Sequence, residues 1–203
     1  MKKRNQNLRM EVTLIKVAGI DPGLRTTGWG IVNYDKEKNE VWASHCGLLR
    51  TPLKLKGTEA LLWMIKSLKE IAKRECFKDC AKIVVEFPAA FFNPKFSMGA
   101  ITPVAAISGA CMALFENDAH PRIFPVYPAV WNGGKKKDKM AILIQDLIGL
   151  TSEWEYDEKP TREVDFEHVI DAIGMAYWRA DIEFFSHAKE SIWKQKKQRI
   201  GLH

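Results

Sequence analysis

The sequence predicts an α/β domain with a mixed sheet and helices packed against it. Two observations predict this class. Apolar runs of strand length alternate with longer segments whose apolar residues recur at helical spacing, in the order βββαβαβα. The first three runs are separated only by short turns, which is typical of an antiparallel meander, and the later strands join it through crossover connections. With 203 residues, 46% of them hydrophobic, the chain can bury a core of this kind.

Five segments are expected to form the sheet. The first apolar run ends at Asp21 and is followed by Pro22-Gly23, a turn that returns the chain antiparallel. A polar turn over 35–40 separates the second strand from the third, and the fourth is a β-branched run that ends at Glu86. The predicted strands span residues 14–21, 28–34, 41–49, 81–87 and 122–127.

Four helices are expected from the spacing of apolar and small residues. Thr58 opens the first, and Leu61, Ile65 and Leu68 follow on one face. The second consists mainly of small residues, the third rises from a lysine-rich loop, and the last begins near Asp165. The predicted spans are 58–74, 98–116, 137–150 and 165 towards 197, with an acidic, aromatic loop over 153–161. We expect a basic extension over 1–13, one domain over 14–180 and a helical basic tail over 181–203.

The positive charge of the chain is clustered. The formal net charge is +6, with basic groups at both ends and one inside the domain. The two terminal clusters are interpreted as solvated tails. The internal cluster follows Asn132-Gly133-Gly134 and so lies on a loop, where contact with a polyanion is the better interpretation. Its members, predicted to bind nucleic acid, are Lys135, Lys136, Lys137 and Lys139.

The cysteines and the hydropathy pattern limit the class of protein. Four cysteines show no CxxC spacing, so free thiols in a reducing compartment are favoured, with a structural zinc at Cys76 and Cys80 as the alternative. The longest mostly apolar segment, 102–115, is too short to span a bilayer. We therefore expect a soluble intracellular protein that has no membrane partner.

Acidic residues lie where predicted elements end. If the first and fourth strands are parallel neighbours, Asp21 and Glu86 meet at one edge of the sheet, where α/β sheets hold ligands. His168 and Asp171 are three residues apart on the last helix and so share a face. Three carboxylates cannot all stay ionised in one place without a cation. Oxygen-rich sites of this kind suit Mg²⁺ or Mn²⁺, and two such ions can clamp a phosphodiester.

Each residue also has an ordinary interpretation. Asp21 alone could form an Asx turn, Glu86 could pair with a lysine at a strand end, and His168 could belong to a helix-capping arrangement with Asp165. Their combination at element ends that are predicted to converge favours a metal site. Asp165 and Glu167 remain rivals or helpers at this site, because acidic residues in a first turn also suit the helix dipole.

These motifs resemble the RuvC family of Holliday junction resolvases, which have the RNase H-like (retroviral integrase) fold. The resemblance covers about residues 17–177 in the right order. It implies that Asp21, Glu86 and Asp171 ligate Mg²⁺ and that His168 assists catalysis. It also implies a homodimer, joined by the helix after Glu86, whose two sites nick opposed strands of a four-way junction. The matching motifs are Gly19-Ile20-Asp21-Pro22-Gly23, Thr27-Gly28-Trp29-Gly30-Ile31, Val84-Val85-Glu86, Gly133 to Lys139 and His168-Val169-Ile170-Asp171-Ala172.

The chain departs from the family pattern in two places. The glycine-rich loop before Asp138-Lys139 is more basic here. Where the family carries an aromatic that wedges into the junction, this chain offers several rings, among them Phe91 and Phe92, as candidates to stack on a base. Such divergence suits a bacteriophage or mobile-element member of the family.

The sequence hypothesis is therefore a dimeric, Mg²⁺-dependent endonuclease of branched DNA, active in the cytoplasm of a bacterium or a phage-infected host. No nucleotide cofactor is expected. Three alternatives stay open: a related nuclease acting on flaps, forks or RNA–DNA hybrids, a DNA-binding module without catalysis, and, more remotely, a fragment of an actin-like ATPase.

Overall fold

The computed structural model describes most of the predicted domain. The described residues are 14–38, 40–88, 98–116, 122–133, 139, 141–142, 144–145, 155–156 and 162–182. Phe91, Phe92 and the lysines at 135–137 lie outside them, as do both basic tails apart from the first two residues of 181–203.

The sheet has six strands in the order β5-β4-β1-β2-β3-β6. β1, β2 and β3 form the predicted antiparallel meander, and β4 pairs in parallel with β1. β5 is parallel to β4, and β6 is parallel to β3. The bounds are β1 Leu14–Asp21, β2 Thr26–Asp35, β3 Glu40–Arg50, β4 Lys82–Glu86, β5 Ile123–Val126 and β6 Glu155–Tyr156.

Five helices surround the sheet in the described part of the chain. Those predicted at 58–74, at 98–116 and from 165 onwards are present, and single positions between 139 and 145 are helical within the predicted third helix. Two short helices were not predicted, because four or five residues are too few to show a helical spacing of apolar residues. The bounds are α1 Gly57–Ala72, α2 Glu75–Lys78, α3 Met98–Phe115, α4 Pro128–Asn132 and α5 Glu163–Ala180.

The sheet carries a hydrophobic core on each face. One core packs α5 and Trp131 against Val17, Val32 and Val84. The other packs α1, α2 and α3 against the alternate residues of the same strands, such as Ile20. Because side chains alternate along a strand, Asp21 and Glu86 project to the face of Val17 and Val84, which is the face that α5 covers.

Three glycines let α5 approach the sheet closely. A Cβ on Gly19 would lie 1.9 Å from the carbonyl oxygen of Ala172, and one on Gly28 would lie 2.2 Å from that of His168. Gly30, paired with Gly19 across β1 and β2, would place a Cβ 2.3 Å from the side chain of Ile173. These three glycines, called the glycine bed below, form the flat surface on which the helix carrying His168 and Asp171 packs.

The predicted mixed α/β architecture is confirmed, with all five expected strands present. β6 is the addition. It contributes two residues beside β3 from within the segment predicted to be a loop. A two-residue strand has no alternation that sequence patterns could reveal, because its pairing depends on where the neighbouring strand runs.

Candidate active site

The end of β1 carries the first site residue. Asp21 is 7% exposed, and its Oδ2 lies 2.5 Å from Nδ1 of His168 on α5. The two residues are 147 positions apart in the chain. Their contact follows from the glycine bed, since a larger residue at position 28 would collide with the backbone of His168. A nearly buried carboxylate thus has an imidazole partner at the sheet edge.

The turn after β1 is closed by Thr27, whose side chain is fully buried. Its hydroxyl accepts a hydrogen bond from the backbone N–H of Gly23 at 3.1 Å and donates one to the Gly23 carbonyl at 3.0 Å. These bonds hold the Pro22-Gly23 turn against the start of β2. The threonine of the motif therefore fixes the path of the chain directly after Asp21.

Glu86 ends β4, the strand next to β1. Ile20 pairs with Val85 in the parallel register, so Asp21 and Glu86 follow one another at the same edge. The indole N–H of Trp131, from α4, donates a hydrogen bond of 3.0 Å to Oε2 of Glu86. The backbone carbonyl of Glu86 accepts a second bond, of 2.9 Å, from the Ser108 hydroxyl. Both the side chain and the backbone of this residue are thus held.

Trp131 is a site residue that sequence reasoning missed. It is only 1% exposed, and it packs against Gly174 of α5, where a Cβ would come within 2.9 Å of the ring. Gly174 therefore leaves room for the indole beneath Glu86. A tryptophan after a Pro-Ala-Val run carries no local signal for this role. Only the folded packing shows that its N–H meets a carboxylate.

Asp171 lies one turn beyond His168 on α5. Its neighbour Ala172 lies against Gly19 of β1, so this turn of the helix lies over the strand that ends in Asp21. The Asp171 side chain is partly exposed, whereas the next residues along the helix are buried. This matches the expected polar upper end of an apolar stripe.

The four predicted residues come from the ends of β1 and β4 and from adjoining turns of α5. Within the part of the chain that the structure describes, no three His, Cys, Asp or Glu side chains are grouped closely enough to hold a metal ion. The contacts that define the arrangement are His168 on Asp21 and Trp131 on Glu86. The donors remain of the hard oxygen type, with one imidazole, that Mg²⁺ and Mn²⁺ accept.

Asp165 has a different role from the one considered for it. Its carboxylate is fully buried, Arg162 donates to both of its oxygens at 2.8 and 2.9 Å, and Nη2 of Arg50 forms an ion pair with Oδ2 at 2.8 Å. The hydrogen bonds from Arg162, followed by the charge of Arg50, hold the pKa of Asp165 below its usual value against the opposing effect of burial. Asp165 thus anchors the start of α5 to β3. Glu167 is partly exposed on the same helix.

Of the predicted DNA-binding residues, the structure describes only Lys139, which is exposed. The other three lysines and both phenylalanines lie outside the described residues.

All four cysteines are free. Burial raises the pKa of the Cys46, Cys80 and Cys111 thiols to about 12, which favours the protonated thiol in the core at neutral pH.

Comparison with known proteins points to one family. The chain is 28% identical over 151 residues to the crossover junction endodeoxyribonuclease RuvC of Hyphomonas neptunium, a match that covers 71% of this chain and 84% of the relative. It is 24% identical over 170 residues to RuvC of Wolbachia pipientis, covering 82% and 94%. No protein-family model matches the chain.

Solved structures of such proteins share the fold. Thermus thermophilus RuvC in complex with a Holliday junction substrate superposes with a TM-score of 0.58 at 18% identity, over 93% of this chain and 98% of that one. The yeast mitochondrial Holliday junction resolvase gives a TM-score of 0.53 at 14% identity, over 88% and 83%. The likeness therefore extends over the whole RNase H-like architecture.

Proposed function

We propose that this chain, which belongs to the RuvC family of crossover junction endodeoxyribonucleases, resolves Holliday junctions and other branched DNA by paired phosphodiester nicks. The observation that supports this most is the edge of the sheet where Asp21 meets His168 and Glu86 ends the adjacent parallel strand. The curated relatives are named for this activity, and the two matches cover 71% and 82% of the chain.

The edge of the sheet that carries Asp21 and Glu86, with His168 and Asp171 of α5 beside it, is called the acidic edge; it is where a metal cofactor would bind. Asp21, Glu86 and Asp171, with His168, would hold Mg²⁺, and Mn²⁺ would substitute for it. When bound, divalent ions of this kind activate water and stabilise the charge that develops on a phosphodiester. The donor types suit such ions, because the residues offer three carboxylates, two of them at the ends of adjacent parallel strands. The described side chains are not grouped closely enough to hold an ion, so binding one would require them to draw together.

The residues of the chain do the positioning. Trp131 orients the Glu86 carboxylate, and the glycine bed places His168 beside Asp21. As the alternative to ligating the ion, the His168 imidazole would accept a proton from an attacking water. The lysine-rich loop, with Lys135, Lys136, Lys137 and Lys139, would contact DNA phosphates, and Phe91 or Phe92 would stack on a base.

Pairing of nicks requires two copies of the site, and α3 supports a homodimer. This helix is apolar around its whole circumference, yet Gly99, Ala106 and Ala113 are exposed on it. A Cβ on Gly99 or Gly109 would meet nothing within 4 Å. Helices with small residues at the surface can pack closely against a second copy. No described helix is long and apolar enough to cross a membrane; a cytoplasmic location stays a prediction.

The decisive experiment is a nuclease assay with Mg²⁺ on four-way, three-way, flap, RNA–DNA hybrid and linear duplex substrates. We expect Asp21→Asn to lower cleavage of the four-way junction by about a thousandfold, because a ligand of the ions is lost, while junction binding persists. Asp79→Asn, an exposed carboxylate paired with Lys16 at the other end of β1, is the matched control and should cleave normally.

Full cleavage by Asp21→Asn would refute the site. Preference for hybrids or flaps over four-way junctions would keep the chemistry and change the substrate. Junction binding without Mg²⁺-dependent nicking of any substrate would identify a DNA-binding module.

A further inference from the structure

A cavity lined by arginines opens next to the acidic edge. Its volume is about 520 Å³, and Arg25, Arg50 and Arg162 lie around it together with Thr26 and Thr51. These residues come from the β1–β2 turn, the end of β3 and the residue before α5. Neither the resemblance to known resolvases nor the lysine-rich loop accounts for this cavity.

The cavity and the acidic site lie on the same edge of the sheet. Asp21 pairs with Gly28 of β2, and Thr26, two residues earlier in β2, pairs with Arg50 of β3. The link also runs along α5, because Asp165, which pairs with two of the cavity arginines, and His168, which contacts Asp21, are three residues apart. That separation is about 4.5 Å along the helix axis.

The charge of the cavity suits an anion. Arg50 and Arg162 pair with the buried Asp165 carboxylate, and Arg25 lines the same cavity, so three guanidinium groups and one carboxylate leave two positive charges among these residues. Arg25 is exposed and donates one hydrogen bond, of 2.7 Å, to the carbonyl of Leu55. A guanidinium has five N–H donors, so this bond holds the group in place while leaving donors for a ligand. The Arg162 side chain is 64% exposed.

We propose that this arginine cavity binds a backbone phosphate of the DNA strand that continues from the scissile phosphate at the acidic edge. Planar guanidinium groups match phosphate oxygens in a bidentate way, which a lysine cannot do. The inference rests on the proposed nuclease function. It adds a fixed phosphate subsite, built on the sheet edge, to the lysine contacts already predicted.

The test measures the affinity of the full-length protein for a four-way DNA junction as a function of salt, in the Asp21→Asn background so that the substrate stays intact. Each phosphate contact contributes about 0.7 to 0.9 to the slope of log K against log salt. We expect Arg25→Gln to reduce the slope by about that amount. The gain in affinity between 1 M and 0.1 M salt should then be roughly sixfold smaller than in the parent. Arg25→Lys keeps the charge and should retain most of the slope.

The control is Lys38→Gln, which removes one positive charge in the β2–β3 turn at the opposite edge of the sheet and should leave the slope unchanged. Arg162→Gln is the second test variant; because Arg162 also donates two hydrogen bonds to the buried Asp165, its free energy of unfolding is measured alongside, and its slope should fall as that of Arg25→Gln does. Arg50 is left intact because it pairs with the same buried carboxylate and is itself less exposed than Arg162.

Replacing single phosphates beside the mapped cut by neutral methylphosphonates then locates the contact. At one of these positions, neutralisation should remove the difference between the protein with Arg25 and the Arg25→Gln variant. Unchanged slopes in both arginine variants, in a protein whose Asp21 form still cuts junctions, would overturn the subsite alone. A protein that neither binds nor cuts branched DNA would overturn the nuclease function and the subsite with it.

Discussion

The two strand ends of the candidate site are held in different ways. On the β1 side, α5 lies directly on the backbone of Gly19 and Gly28, and Asp21 meets a histidine from that helix. On the β4 side, a large side chain fills the space, and the Trp131 indole reaches Glu86 through one hydrogen bond. The first carboxylate depends on how closely two backbones approach. The second depends on the packing and polarity of one ring.

This difference predicts which amino-acid substitutions the site tolerates. A backbone contact cannot move aside, so the β1 side should respond to substitution through stability of the whole fold. A ring at the end of a side chain can be replaced by another ring, so the β4 side should respond through activity. Variants on the two sides test whether the effect appears in stability or in activity.

The largest effect is expected from Gly19→Ala. Its Cβ would lie 1.9 Å from a backbone oxygen of α5, so the helix must shift away from the sheet. We expect a loss of about 3 kcal/mol in the free energy of unfolding, measured by urea denaturation, with a parallel loss of cleavage. Thr58→Ala, at an exposed position in the first turn of α1, is the control and should leave both stability and cleavage close to the parent. Equal stability of Gly19→Ala and the parent would show that α5 does not rest on this glycine.

A somewhat smaller loss is expected from Asp165→Ala, which removes the anchor of α5 on the β1 side. The variant removes the hydrogen bonds from Arg162 and the ion pair with Arg50, but both arginines are partly exposed and water can solvate them, so we expect about 2 kcal/mol of destabilisation at neutral pH. The pKa of Asp165 is lowered by folding, so its contribution is present above the ordinary carboxyl pKa and is lost as the pH falls through the folded value. Unfolding curves of parent and variant should therefore converge in acid. A gap that stays constant down to the acid transition would mean that the charge of Asp165 is not what stabilises the helix.

Trp131→Phe should have the smallest effect on the fold and a selective one on chemistry. It keeps an aromatic ring in the pocket but removes the N–H that holds Glu86. A hydrogen bond to a charged group is worth about 1.5 to 3 kcal/mol, so we expect a loss of roughly tenfold or more in cleavage rate and weaker binding of Mg²⁺. Trp42→Phe, a partly exposed tryptophan on β3, is the control. If Mg²⁺ affinity and cleavage in Trp131→Phe match the control, the indole does not position Glu86.

Much of this architecture could be predicted from sequence patterns. The strand that ends at Asp21, the strand that ends at Glu86 and the helix with His168 and Asp171 each carry a local signal, and the parallel pairing of β1 with β4 is confirmed. The assignment of all four residues as metal ligands stays a prediction, because no three His, Cys, Asp or Glu side chains among the described residues are grouped closely enough to hold an ion. Ligand distances depend on side-chain conformations, about which periodicity says nothing.

The sequence by itself determined which residues end each strand and which helix face is polar, because alternation along a strand and helical spacing are local properties of the chain. The contacts of these residues depend on the tertiary structure: the Trp131 indole bonds Glu86, two arginines pair with Asp165, and the glycines let α5 approach the sheet. Those contacts depend on the distance between elements that lie far apart in the chain. That distance is set by the packing of the whole core around a few small residues.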